Sequence, residues 1–477
     1  MNEKPTLGVI AVAKYNHQKD EVKEMLVNYK KRFTGEPSSS FMMKDTVLFD
    51  ENDVVETAKQ MERDGADALL LIVGTWIFSS HVISAVNDLN IPFILYGLSD
   101  KIANGNFGAS IQIRYVLQEM GKKFLYLYGQ AQDENNIQKI LKFTRSAWTK
   151  NSIRNAKIAT IGGKCMMMYQ TQVNEFSWKS TFGVDFPQYD TVQVFTEMKN
   201  VSESEAREVA DDFVSKFDRV VWEIGETGEK IAKDAILSQA KMYLAFKRLA
   251  KLYNITVFAN KCMPEMASQI YGYKYAGCMA TCMLNEAGLL TACEADLPAA
   301  LTMLLLNRLT GKKVFFADIA RLSADKNRIT FFNCGTGPVS MADRTRPVEL
   351  WPTPSATADE GVANEYMTDG ADKERGACVR FDLPNDREAT IMRIGGNDGT
   401  LRFHVATAAT CSREVEKDEV LGQRWPGFGL KFKGNIDEFI QNTVGHHYVL
   451  VEGNYVQELE YLAQMYGIGF TFFDGNK

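Results

Sequence analysis

Histidine is the scarce residue of this chain, with five in 477 positions. Other absences narrow the class further. No apolar run reaches the ~18 residues that a membrane helix needs, so no membrane partner is expected. The net charge of −6 gives no basic footprint, which argues against a nucleic-acid partner. The paired C-x2-C spacing of common zinc sites is missing, and so are the G-x-G-x-x-G and G-x4-G-K-[ST] loops that hold nucleotides. The first residues, Met1-Asn-Glu-Lys-Pro-Thr-Leu-Gly-Val-Ile-Ala-Val, run into a strand without a signal-peptide pattern, so a cytoplasmic protein is expected. In that reducing setting the eight cysteines are expected as buried, reduced thiols. Cys262, Cys278, Cys282 and Cys293 do cluster, and a structural zinc site is the alternative to plain packing.

What is present is an ordinary globular composition, 45% apolar and 24% charged, in a chain too long for one hydrophobic core. Short apolar runs at 7–14, 68–73 and 92–96 alternate with helical patterns at 20–33, 53–65 and 80–89. Strands alternating with helices predict a parallel sheet covered on both faces, with its functional edge at the strands' carboxyl ends. A second series starts near Lys157-Ile-Ala-Thr-Ile-Gly-Gly-Lys164, continues through Val220-Val-Trp-Glu223, a helical stretch at 227–252 and Thr256–Asn260, and reaches a helix over 297–310. Asp296 can cap that helix, Pro298 suits its first turn and Gly311 can end it. From about 340 helical periodicity fades and Ala377–Asp382 and Ala389–Ile394 read as strands. A helix over 456–466 and a strand over 469–474 close the chain. The expected fold is α/β, with two doubly wound parallel-sheet domains (1–153 and 154–338) followed by a mostly β domain (339–477).

The chemistry-bearing stretches are Lys261-Cys-Met-Pro-Glu265, Ala292-Cys-Glu294-Ala-Asp296 and Val444-Gly-His446-His447. Carboxylates with a histidine are what a divalent metal needs to hold and polarise an oxygen-rich substrate. Each residue also has a plainer role. Glu265 would serve as a first-turn acid facing a helix dipole, and Asp296 as an N-cap. On an extended segment Glu294 and Asp296 share a face. His446 and His447 alternate, so only one is expected to face a site. Gly162-Gly163-Lys164 after a strand could cradle an anion or a sugar hydroxyl with backbone amides.

Several of these stretches, in this order, resemble the L-fucose isomerase/L-arabinose isomerase family over most of the chain. Thr291-Ala-Cys-Glu294-Ala-Asp296 through Phe316-Ala-Asp318 is similar to the fucose isomerase segment built around Thr-Glu-Asn-Asp and Phe-Ala-Asp. Gly162-Gly-Lys-Cys-Met166 resembles its Gly-Gly-Val-Ser-Met pocket segment, Gly445-His-His-Tyr-Val449 the arabinose isomerase Ala-His-His-Thr-Val ending, and Trp76-Ile-Phe-Ser-Ser80 that enzyme's Thr-Phe-Ser-Pro turn. The resemblance implies an aldose–ketose isomerase that uses Mn2+ or another divalent cation on a small sugar. It also implies a homo-oligomer, trimer or hexamer, with sites between subunits. Carried over by position, Asp296 and His447 match metal ligands. By the resemblance, the usual position of the other acid holds Thr281, and the arabinose isomerase acids fall near Ala317-Asp318 and Asn333-Cys334. Glu265 is therefore the expected substitute, chosen on strand-end position.

The expected catalytic pair is Glu265 and Asp296. The expected metal ligands are Glu265, Asp296 and His447, with Glu294 and Asp318 next in line. Trp76, Lys164, Met166 and Trp178 are the expected substrate contacts. The reaction would move a proton between C1 and C2 through an enediolate. Two alternatives remain open: a non-catalytic sugar-binding protein, and a related isomerase acting on a modified or charged sugar.

Overall fold

The computed structural model describes residues 4–15, 19–44, 46–99, 105–130, 133–262, 266, 275–353, 373–397, 399–413, 424–433 and 436–475. Glu265 lies outside these residues. The chain forms two compact units, one made of 1–152 with 457–467, the other of 153–456 with 468–477.

The N-terminal unit is built on a five-stranded sheet in the order Ser40–Met43, Thr6–Val12, Ala68–Val73, Phe93–Leu98, Leu125–Gly129, all parallel. Its strands are nearly continuous apolar runs because both faces are covered. Leu70 and Ile72 enter one core with Leu26, Phe33, Ile140 and Phe143, while Leu69, Leu71 and Val73 enter a second with Val54, Ala58 and Val82. The period-two alternation of the strand thus divides one apolar run between two layers of helix. The helix Val456–Tyr466 belongs to this unit: Tyr461 joins the first core, its ring 5.4 Å from that of Phe143.

The second unit contains a four-stranded parallel sheet, ordered Thr291–Ala292, Val257–Asn260, Ile158–Ile161, Gln188–Tyr189. Its other main sheet is mixed and seven-stranded, in the order Glu388–Asn397, His447–Glu452, Phe315–Leu322, Arg328–Phe332, Gly427–Lys431, Thr400–Cys411, Gly469–Asp474. The long hairpin pairing Glu388–Asn397 with Thr400–Cys411 closes this sheet on itself. The fold is therefore α/β with parallel sheets and a mostly β C-terminal region. The seven-stranded sheet draws strands from both sides of residue 338, and one apolar core runs from Val201 to Phe473. Among the described residues, no helix is long and apolar enough to cross a membrane.

Most elements fall where periodicity puts them. The helix expected over 227–252 begins only at Ala235, because Gly228 (φ 69°) turns the chain and Lys230–Ile231 pairs as a short strand.

Candidate active site

The site is assembled where two sheets and one helix start meet within the second unit. Antiparallel pairing of Phe315–Leu322 with His447–Glu452 sets Asp318 directly opposite His447. Cross-strand partners on one face are the closest side-chain neighbours that a sheet provides. Asp318 Oδ1 accordingly lies 3.0 Å from His447 Nε2. The second acid comes from the turn between the strand Thr291–Ala292 and the helix Leu297–Thr310. Glu294 (φ 57°) and Ala295 (φ 53°) are both left-handed there, a conformation that non-glycine residues adopt at a cost. The turn delivers Glu294 Oε2 to 3.0 Å from the same Nε2.

The extended geometry expected for 294–296 is thereby corrected. Two left-handed residues send Glu294 and Asp296 to opposite sides of one imidazole instead of to a shared face. Asp296 Oδ2 meets His447 Nδ1 at 2.7 Å, and its Oδ1 accepts the Ala299 amide at 2.7 Å as the helix N-cap. Asp296 is fully buried and also pairs with Arg393, whose Nη1 and Nη2 lie 2.9 Å and 3.3 Å from its two oxygens. Both of its oxygens are engaged away from Nε2, so the structure places it behind the histidine. Glu294 and Asp318, the reserve candidates, are the acids at the Nε2 face.

Arg393 is the residue that sequence reasoning missed. Besides Asp296 it donates to the carbonyls of Val444 (3.1 Å), His447 (3.0 Å) and Gln170 (2.9 Å). Its signal was an arginine inside the otherwise apolar strand run Ala389-Thr-Ile-Met-Arg-Ile. Such a charge, only 1% exposed, requires a buried partner.

His446 does not point away, as alternation suggested. The strand begins at His447, after Gly445 (φ 142°), so alternation does not yet govern His446. Its Nε2 lies 3.6 Å from Asp318 Oδ1 and its Nδ1 contacts Gln170. Gln170 follows the loop that carries Gly162, Gly163, Lys164 and Met166, tying that loop to the cluster. Gly162 (φ 83°) has no room for a Cβ, which would stand 2.6 Å from Thr191 Oγ1. Lys164 Nζ sits 4.1 Å over the ring of exposed Tyr169, and Met166 and Met167 are both left-handed and exposed. Trp178 takes a different role: at 5% exposure it packs with Phe182 and Phe186, so its ring serves the core. Trp76 lies in the N-terminal unit and is 40% exposed.

The electrostatics follow from burial and pairing. Burial alone would raise the Asp296 carboxyl, but Arg393 and then His447 overrule it and hold it down at about 2. Burial raises Glu294 above the usual glutamate range, with Asp318 and Asp296 adding repulsion and His447 opposing. For His447, burial disfavours the charged ring, yet Asp318, Asp296 and Glu294 together push its pKa well above the usual histidine range. His446 moves the other way, down to about 4, through burial and then the neighbouring His447.

The cluster fits a divalent cation on two counts. Glu294, Asp318, His446 and His447 each offer a ligand atom, all within 4.8 Å of one another. His447 Nε2 is buried and forms no hydrogen bond. The carboxylate oxygens at 3.0 Å are close enough to bias its charge. Oxygen and imidazole donors around one point suit Mn2+ and similar ions. Asp296 at Nδ1 fixes the tautomer that would leave Nε2 free to ligate.

The chain matches no known protein-family profile. Its sequence is similar to curated proteins named sulfoquinovose isomerase. That of Clostridium sp. (strain MSTE9) is 24% identical over 320 residues, 65% of this chain and 65% of the relative. The Alkalicoccus urumqiensis protein is 22% identical over 422 residues, covering 84% and 85%. That of Priestia aryabhattai is 22% identical over 351 residues, covering 73% and 72%. Among solved structures, an ABC transporter solute-binding protein from Burkholderia multivorans aligns over 65% of this chain and 95% of its own at 10% identity. Its TM-score of 0.18 is too low to indicate a shared fold.

Proposed function

We propose that this chain is an aldose–ketose isomerase acting on a sulfonated hexose, with the cluster around His447 as its site. The observation that carries the reading is the imidazole of His447 held between Asp296 on one nitrogen and the Glu294 and Asp318 carboxylates on the other. The sulfoquinovose isomerase relatives support the reaction class and favour the modified-sugar alternative over fucose or arabinose.

Glu294, Asp318 and His447 would hold the cation, taken here as Mn2+, with His446 at the solvent side. A cation bound there would stabilise negative charge developing on the sugar's O1 and O2. The protein's own groups do the rest. Glu294, its carboxyl raised by burial, accepts the proton from C2 and returns it to C1. Asp318, which is more exposed, exchanges the proton that passes from O2 to O1. Asp296 and Arg393 keep the His447 ring in one orientation and touch no substrate. Lys164, on the Gln170 loop, meets the sulfonate.

The test is incubation of the Mn2+-loaded protein with sulfoquinovose and with neutral aldoses in D2O, read by proton NMR. The expected result is a ketose formed from the sulfonated sugar and stopped by a chelator, with deuterium at C1 only in the fraction where the Glu294 proton exchanges with solvent before its return. Failure of every aldose to react overturns the assignment. Equal rates for glucose and sulfoquinovose remove the sulfonate from the proposal.

A further inference from the structure

We propose a second cation site adjoining the first and built on thiols, in which Cys293, Cys334 and Glu294 take a thiophilic divalent cation such as Zn2+. Glu294 is the bridge. Its Oε2 lies 3.0 Å from His447 Nε2, while its Oε1 lies 4.0 Å from Cys334 Sγ on the other side. The ligand atoms of Cys293, Glu294 and Cys334 all fall within 4.8 Å of one another. Cys262 neighbours Cys293 and stands outside this three-donor set.

Three separate segments bring these sulfurs together. Cys262 follows the strand Val257–Asn260, Cys293 follows its neighbour Thr291–Ala292, and Cys334 follows Arg328–Phe332. This is not the cluster suggested by sequence spacing, since Cys282 turns elsewhere and donates to the Gly337 carbonyl at 3.0 Å. Two sulfurs and one carboxylate oxygen supply three donors of the kind zinc takes, with the fourth position left to a small exogenous ligand. The two halves also differ in softness: thiolates select zinc-like ions, whereas the carboxylate–imidazole face suits manganese-like ions. Each thiol that ligates loses its proton to solvent, so no oxidant is involved.

The test uses Co2+ as probe on the full chain, stripped with a chelator and titrated without substrate under anaerobic conditions. Thiolate-bound Co2+ gives intense near-ultraviolet charge-transfer absorption, which carboxylate and imidazole ligands do not, so the readout is independent of isomerase activity. The expected result is a band that saturates by roughly two cations per chain, one for each site, and is bleached by Zn2+. Cys334→Ser should remove at least half of it, and this partly exposed position is the safer variant should buried Cys293→Ser fail to fold. His447→Ala should retain the band. Its absence from the unaltered protein, or its persistence at full strength in Cys334→Ser, overturns the proposal.

Discussion

Replacing Arg393 by methionine tests how the site is held. The side chain is 1% exposed and its partner Asp296 is fully buried, so removal of the guanidinium leaves a carboxylate charged in a dry setting. Breaking one side of such a pair costs about 3–5 kcal/mol. The carbonyls of Val444, His447 and Gln170 lose their donor as well, and a buried orphan costs ~1–3 kcal/mol. Only the His447 bond is fully buried, and these losses overlap, so the expected total is ~4–6 kcal/mol. Two units make a single global transition a poor readout. Hydrogen exchange followed by mass spectrometry on peptides spanning 388–397 and 447–452 reads the loss locally. Adding Asp296→Asn removes the orphaned charge and should restore ~2 kcal/mol or more. A loss below ~1 kcal/mol, or strict additivity in the double variant, would refute the buried-pair argument.

Three other outcomes are expected. His447→Ala and Asp318→Asn should abolish Mn2+ binding and turnover, while Asp296→Asn should weaken binding by ~10–100-fold through loss of ring orientation; calorimetry that ranks Asp296→Asn as the most damaging reverses the assignment. His404 is held down at about 4 from an ordinary 6.5, by burial and then Arg402, so the unfolded chain takes up a proton that the folded chain resists. Its contribution is complete above ~6.5 and is lost as pH falls toward ~4, an acid-side loss of roughly 3 kcal/mol that His404→Gln should flatten in urea titrations. Trp178→Ala should cost ~3–5 kcal/mol of stability, and the conservative Trp178→Phe should leave KM nearly unchanged; a large KM rise would return Trp178 to the substrate.

The layers were legible because burial leaves a period in the sequence. Ala68–Val73 and the helix Leu297–Thr310, with Asp296 as its cap and left-handed Gly311 at its end, fall where pattern and capping chemistry predict. The acid–histidine association across 150 residues was legible as well, since so few residue types can perform that chemistry. The division of labour was not. Whether Glu294 or Asp296 reaches Nε2 depends on two left-handed residues, and neither Glu294 nor Ala295 is a type that advertises positive φ. Asp318 reached the site through strand register, which residue spacing alone does not encode. The same blindness hid Arg393, whose partner lies 97 residues away in sequence.

The helix Val456–Tyr466 has a consequence for synthesis. It completes the N-terminal unit, where the Ser146 hydroxyl donates to the Glu458 carbonyl at 2.8 Å across a separation of 312 residues. At ~5–20 residues per second a ribosome needs roughly 15–60 s to make the intervening chain. During that interval the first-made unit waits with the Tyr461 position of its core unfilled. A nascent chain stalled before residue 456 should expose this apolar gap, which makes the last-made helix, not the first strands, the step that finishes the first unit.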